Sequence, residues 1–419
     1  MQTATVESFS QQPNLVLLSP TGSGKTLAFL LPIVQGLDKT NKKSQALIIV
    51  PSRELALQIE SVFKTMGTGF KVTTCYGGHK REIEENNLLQ PPALLIGTPG
   101  RLADHIRRNN ITTDTIHTLV LDEFDKSLEA GFVEEISFII SSLPGVEKRM
   151  LTSATEAVDI PDFLQMADAE KLNFLPENET KEALSVQVVL SPEKDKIETL
   201  FRLLCHVGAR SSIIFCNHRE SVERVSNLLS EKGIINTFYH GSMEQRDREV
   251  ALAKFRNGSV NFLVTTDLAA RGLDIPNIRY IIHYHLPTTE EIFTHRNGRT
   301  ARMDKSGTAI LLLNDEEKVP GYLSTPPEKI ELQTDNPLPE KPKWTTMFIA
   351  AGKKDKVNKV DIVGFFTKKG ELKKEDIGVI EVKDFFSFVA LRKSRVSHTL
   401  QLIKEEKLKG RKIKIAVAK

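Results

Sequence analysis

The sequence predicts an α/β protein: two tandem parallel-sheet domains followed by a small basic α+β domain. Three observations carry this expectation. Short apolar, β-rich runs alternate with amphipathic helical stretches; the runs fall into two series; and a proline-rich break sets off a C-terminal segment of opposite charge. Length agrees, because 419 residues exceed one ordinary core and suit two or three domains.

The first series comprises Leu15–Ser19, Ala46–Pro51, Ala93–Gly97, Thr118–Asp122 and Met150–Ser153. The second comprises Ser212–Cys216, Thr237–His240, Phe262–Thr266, Tyr280–His283 and Thr308–Leu313. Runs that are apolar on both faces and spaced by helical patterns belong to parallel sheets covered by helices. The join falls near Asn178–Glu182, which is polar and lacks apolar period. Ser324–Lys343 holds five prolines and reads as a linker. The expected domains are therefore 1–180, 181–323 and 344–419, with the linker at 324–343.

Composition excludes several classes. No apolar run approaches the roughly 18 residues that cross a bilayer. The first residues, MQTATVESFS, lack the basic and apolar regions of a secretory signal. Cys75, Cys205 and Cys216 show no CxxC spacing, which suits a reducing cytoplasm and argues against a disulfide frame or a zinc site. A cytoplasmic monomer with no membrane association is expected. The net charge of +3 hides an asymmetry. Lys341–Lys419 carries 21 Lys and Arg against 9 Asp and Glu, a net of +12; the preceding residues carry 36 against 45, a net of −9. A basic tail on an acidic body points to a polyanionic partner, with a merely solvated face as the alternative.

The first chemical signal is SPTGSGKT, Ser19–Thr26, between the run LVLLS and the helical LAFLLPIV. That context is what a phosphate loop requires. Thr21, Gly22, Ser23 and Gly24 shape a turn whose amides face phosphate oxygens, and Gly22 and Gly24 allow it to close. Lys25 reaches the β- and γ-phosphates, and Thr26 places its hydroxyl on Mg²⁺. Ser19 stands where the strict pattern has Gly. The second signal is DEFD, Asp122–Asp125, at the end of another apolar run. Asp122 is the candidate Mg²⁺ ligand and Glu123 the candidate base for the attacking water. Acidic loop residues alone are weak; the preceding phosphate loop gives these their meaning.

Further motifs follow: PSRELA at Pro51–Ala56, Gly77–Gly78, TPGR at Thr98–Arg101 and SAT at Ser153–Thr155. Then come IIFCN at Ile213–Asn217, HGSMEQRDR at His240–Arg248, TTDLAARGLDIP at Thr265–Pro276 and HRNGRTAR at His295–Arg302. In content and order this set resembles the DEAD-box RNA helicases, from Gln2 to about Leu313. The resemblance implies two recA-like domains and ATP-driven separation of RNA strands. It implies that Ser153 and Thr155 couple hydrolysis to unwinding. It also implies that Asp274 contacts the ATP ribose, and that Arg299 and Arg302 are arginine fingers supported by His295 and Arg296. Arg53, Gly78, Thr98, Arg101, Arg219, Gln245 and Thr265, or the residues beside them, match positions near the RNA backbone. Gln2 matches the family's adenine-recognising Gln, but the aromatic residue expected upstream of it has no counterpart here. With one residue before it, Gln2 is expected to be poorly held. Phe124 replaces the family's Ala, which leaves the metal chemistry intact, and Asn297 replaces an aliphatic residue without an evident consequence.

The tail resembles the C-terminal RNA-recognition domain of the DbpA/YxiN helicases, in MFIAAGKKDKV, DIVGFF, IGVIEVKDFFSFVAL and LKGRKIKIAVAK. That implies an RRM-like βαββαβ layout and a hairpin of 23S ribosomal RNA in pre-50S particles as the partner. Phe386 and Phe388 share one strand face by alternation, either as a base-stacking platform or as core. Lys353, Lys354, Lys356, Arg392, Arg395 and Arg411 make the clearer footprint. Other functions stay open: a general RNA helicase or RNA chaperone without a specific rRNA target, a DNA helicase of the same superfamily, and a non-enzymatic RNA-binding protein or chaperone that kept an ATPase body.

Overall fold

The computed structural model describes residues 1–20, 22–78, 80–129, 131–154, 160–175, 184–267, 278–298, 307–323, 325–333 and 335–419. The chain forms two compact units, Met1–Thr180 and Lys181–Ala270 with Ile275–Lys419.

The first unit is built on seven strands: β1 (Asn14–Leu18), β2 (Ala46–Ile49), β3 (Val72–Cys75), β4 (Leu94–Gly97), β5 (Thr118–Leu121), β6 (Lys148–Ser153) and β7 (Glu170–Asn173). All pair in parallel, in the order β3-β4-β2-β5-β6-β1-β7. The central strands are apolar because helices cover both faces: Val16, Leu47, Leu95 and Leu119 pack on one side, Leu15, Ile48, Leu94 and Val120 on the other. Every strand therefore delivers its carboxyl end to one rim, where ligands of open α/β sheets sit.

The second unit begins with an analogous sheet. Its strands are β8 (Leu184–Leu190), β9 (Ser212–Phe215), β10 (Asn236–Tyr239), β11 (Phe262–Thr265), β12 (Tyr280–His283), β13 (Gly307–Leu313) and β14 (Glu328–Lys329). They lie in the order β10-β11-β9-β12-β13-β8-β14, again parallel. The same unit ends in a four-stranded antiparallel sheet of β15 (Trp344–Ile349), β16 (Ile377–Val382), β17 (Ser387–Arg392) and β18 (Ile415–Val417), in the order β16-β17-β15-β18. Helices Lys359–Lys368 and Val396–Leu402 pack on one face of it through Ile362, Phe366 and Val396 against Met347, Ile349 and Val389.

All ten apolar runs read from the sequence are strands. The runs not anticipated are β3, β7, β8 and β14. Three of these are sheet edges, where a strand needs fewer apolar residues and the signal weakens. The proline-rich segment is extended but fastened. β14 pairs with β8, the Ile330 amide donates to the Val188 carbonyl at 2.8 Å, and Ile330 and Leu332 pack on the second sheet's core.

Candidate nucleotide and RNA sites

The strand order places β5, β6 and β1 side by side, so DEFD, SAT and the phosphate loop share one stretch of the rim. Gly22 and Gly24 take left-handed φ values of 84° and 93°, as a turn around an anion requires. Lys25 begins the helix Lys25–Gly36 and its Nζ donates to the Ser19 carbonyl at 2.7 Å. Ser19 is fully buried. Its amide donates to the Ser153 carbonyl at 3.1 Å, which ties the loop to the SAT strand, and its hydroxyl, the group a Gly would lack, bonds to that of Ser23 within the loop. Gln2 is not frayed. It opens the helix Gln2–Gln11, which Phe9 anchors in the core, and a Cβ at Gly24 would lie 2.6 Å from Gln2 Nε2.

Asp122 is buried, and its Oδ1 accepts from the Thr152 hydroxyl and, at 3.1 Å, from the Glu123 amide. Burial pushes its carboxyl above the usual range, opposed first by the nearby Lys25 ammonium. Glu123 has a φ of 49°, a conformation that a non-glycine residue rarely adopts. Its amide bonds to Asp122 and Thr152 hold it there, and strain of this kind collects at functional sites. Phe124 points into the core rather than toward the phosphate loop, so its replacement of Ala is a packing matter. Thr26 is half-buried in the first helical turn.

PSRELA, the glycine pair and TPGR follow β2, β3 and β4, on the other half of the rim. Arg53 is nearly buried. Its Nη1 donates to the Gly77 carbonyl at 3.1 Å and its guanidinium lies 5.0 Å over the Tyr76 ring. Gly78 has a φ of 94°, and a Cβ there would stand 2.2 Å from Arg53 Nη1. Thr98 is the N-cap of the helix Pro99–Arg107, and Arg101 lies in its first turn, partly exposed.

In the second unit, Arg219 donates to the Ser242 hydroxyl at 2.9 Å, which brings the start of one helix beside the HGSMEQRDR segment. Gln245 opens the helix Gln245–Arg256 and its Nε2 donates to Glu249 at 2.7 Å. The Thr265 hydroxyl is buried and donates to the Tyr239 carbonyl at 2.8 Å, while Thr266 beside it is half-buried. His295 is half-buried near the end of the helix Glu290–Asn297. Arg296 is fully buried. It is bidentate to Asp267, donates to the His285 carbonyl at 2.6 Å and Asn217 Oδ1 at 2.9 Å, and stacks 5.1 Å from the Phe215 ring. Three motifs thus meet on one guanidinium. Asn297 now has an account: its Oδ1 accepts from His283 Nε2 at 3.2 Å. Burial and the Arg296 charge lower the pKa of His283 to about 3, so the imidazole is neutral and Nδ1 is open to Arg296. Asp267, His283 and Asn217 were not anticipated as partners, because their roles arise from pairing across strands. Thr21, Thr155, Asp274, Arg299 and Arg302 lie outside the described residues.

In the tail, Phe388 and Ala418 pack with Val250 and Ala253 of the helix Gln245–Arg256, with Phe348 and Phe386 alongside. Arg246 lies 5.2 Å over Phe348, Thr346 exchanges hydrogen bonds with Asn257, and Arg256 pairs with Glu381. The outer face of the tail sheet is therefore covered by the second parallel-sheet domain, fully at Phe388 and in part at Phe348 and Phe386. The basic residues divide between opposite ends of the tail sheet. Lys353, Lys354, Lys356 and Arg411 gather beyond β15, where Arg411 pairs with Asp355 at 3.4 Å. Arg392 lies at the Trp344 end, bound to Asp376 at 2.9 Å, with Arg395 one short turn on.

A phosphate loop and an acidic strand end on one parallel sheet, a second such sheet, and a basic antiparallel tail define a nucleotide-driven enzyme of nucleic acid. Comparison with known proteins is more particular. Residues 1–163 match the DEAD/DEAH box helicase family, 195–304 the helicase conserved C-terminal domain and 346–417 the DbpA RNA binding domain. The chain is 32% identical to the ATP-dependent RNA helicase DbpA of Bacillus subtilis, over 99% of this chain and 93% of the relative. It is 31% identical to the Escherichia coli protein of the same name, over 100% and 94%. Among solved structures, Saccharomyces cerevisiae Dbp5 bound to RNA and ADP BeF3 superimposes with a TM-score of 0.66 at 27% identity, covering 75% of this chain and 83% of that one. The chain belongs to the DEAD-box ATP-dependent RNA helicases, with a DbpA-type RNA-binding domain at its C-terminus. It is an ATP-using, RNA-binding enzyme, and among the described residues no helix is long and apolar enough to cross a membrane.

Proposed function

We propose that this helicase opens short RNA duplexes in a hairpin region of 23S ribosomal RNA during assembly of the large ribosomal subunit. The reading places it in the cytoplasm as a monomer, with domains at 1–180, 181–323 and 344–419. The observation that carries the catalytic part is Glu123, held in a left-handed conformation between Asp122 and Thr152 beside the phosphate loop. Glu123 takes the proton of the attacking water, Lys25 and the amides around Gly22, Ser23 and Gly24 hold the phosphates, and Gln2 recognises the base. Magnesium fits the donor set: the Asp122 carboxylate and Thr26 hydroxyl are hard oxygens, and these residues would hold it. Bound there, it would neutralise phosphate charge.

Arg299 and Arg302 supply the positive charge of arginine fingers, Asp274 the ribose contact, and Ser153 and Thr155 the coupling to strand separation. Arg296 acts through Asp267 and Asn217. RNA is gripped by its backbone, so the core is indifferent to sequence. Opening about four base-pair steps costs roughly 6 kcal/mol at ~1.4 kcal/mol per step, which suits one ATP cycle and local unwinding rather than processive travel. Targeting falls to the tail. Its sheet face is covered, so the turn carrying Lys353, Lys354 and Lys356, with Arg411, is the stronger candidate for RNA contact.

The test is ATPase rate with no RNA, with a random structured RNA, and with a 23S fragment containing the peptidyl-transferase hairpins. Strong stimulation by the 23S fragment alone is expected. Equal stimulation by both RNAs overturns the targeting role, and rates independent of RNA overturn the coupled cycle.

A further inference from the structure

At the RNA half of the first rim lies a buried carboxylate that none of the roles above uses. Glu84 sits in the helix Arg81–Leu88 and is 1% exposed. Its Oε1 accepts from the Tyr76 amide at 2.8 Å. Its Oε2 accepts from Arg101 Nη1 at 2.9 Å and from His105 Nε2 at 2.7 Å. His105 is itself fully buried, and its Nδ1 accepts from Asn110 Nδ2 at 3.0 Å, which assigns the ring proton to the nitrogen facing Glu84. One side chain thus joins the end of β3 to the TPGR helix. Tyr76 underlies Arg53, and Arg53 holds the Gly77 carbonyl, so the same connection reaches PSRELA.

The Cys75, Glu84 and His105 donor atoms lie within 4.8 Å of one another, a spacing that also suits a metal ion. The surroundings oppose one. Arg101 already places a cation on Glu84 Oε2, and burial, with the Glu84 charge, pushes the Cys75 thiol far above its usual range, away from the thiolate a metal needs. The cluster is a hydrogen-bond hub.

We propose that Glu84 is a positioning residue for RNA binding: it sets Arg101 and the Gly77–Gly78 turn at the distance the RNA backbone requires, without touching RNA itself. A carboxylate suits this task because it accepts from all three donors, whereas an amide would turn its NH2 toward one of them. The inference rests on the reading that Arg101 and the glycine turn contact RNA.

The test uses the full chain in RNA-stimulated ATPase assays, with Glu84→Ala, Glu84→Gln, Arg101→Ala and the Glu84→Ala/Arg101→Ala double variant. Of the three hydrogen bonds that Glu84→Ala removes, the charge-assisted one to Arg101 bears on RNA, and its loss predicts a rise of about tenfold in the half-saturating RNA concentration. The rate at saturating RNA, the RNA-free rate and the KM for ATP should stay unchanged. Glu84→Gln should fall between, and it keeps the test open should the alanine variant fail to fold. In the Arg101→Ala background the added effect of Glu84→Ala should shrink to less than about twofold, because the two act as one unit. Additive effects, or a parallel fall of the RNA-free rate, overturn the positioning role. Should Arg101→Ala alone leave RNA affinity unchanged, the RNA reading of this rim fails first and the proposal with it. Should Arg101→Ala weaken binding while both Glu84 variants do not, the proposal alone fails.

Discussion

The two halves of the first unit's rim share seven strands and differ in how they are held. The phosphate half is largely a main-chain structure: left-handed glycines, buried hydroxyls and amides, with Lys25, Asp122 and Glu123 among its charges. The other half, proposed to grip RNA, is held by long charged side chains, Arg53 on Gly77 and Glu84 on Arg101 and His105. The first is contiguous in sequence, because backbone turned inward around an anion needs glycine at fixed neighbouring positions. The second is scattered, because a buried carboxylate gathers its donors from any element within reach.

The sharpest division between the halves is expected from Glu123→Gln. It should lower the saturated ATPase rate by about 10²–10⁴, the range for a lost general base, while binding of ATP and RNA persists. An unchanged rate removes Glu123 from the chemistry. Next come two matched glycines. Gly24→Ala meets Gln2 and should raise the KM for ATP about tenfold; Gly78→Ala meets Arg53 and should weaken RNA to a similar degree. Each should leave the other ligand's constant nearly unchanged, and crossed effects would show that the two halves are one cooperative site.

A third variant probes a different kind of holding. Thr346→Val strips the tail of its buried bonds to Asn257 and Ser259 and should cost about 1–3 kcal/mol, read as a lower thermal midpoint of the full chain. No change in the midpoint would mean that the remaining contacts, Phe388 with Val250 and Ala253, Arg246 over Phe348 and Arg256 with Glu381, seat the tail without it.

Stability should also follow pH. Unfolded histidine titrates near 6.5, whereas His283 is held neutral down to about 3 and His285 to about 4. Between these values the unfolded chain binds more protons, so stability is full above pH 6.5 and falls as pH drops, by up to about 1.4 kcal/mol per pH unit for His283. Urea midpoints at pH 7 and pH 5 check the slope, and His283→Gln should flatten it.

The sequence alone determined the class of fold, the succession of two parallel-sheet domains and the family, and it marked the candidate phosphate loop and its acidic partners. These depend on local pattern: apolar runs, glycine spacing and charge at strand ends. Tertiary structure decided what no neighbouring residue encodes. Gln2 looked unsupported and is carried by a packed helix. Asn297 had no evident role until β12 set His283 against it, and Thr265 turned out to spend its hydroxyl on Tyr239. Alternation placed Phe386 and Phe388 on one face but could not say what lies opposite, because a strand's period names a face and only packing supplies its cover. Glu84 follows the same rule: an acid in a short polar helix carries no mark of burial until three donors from other elements converge on it.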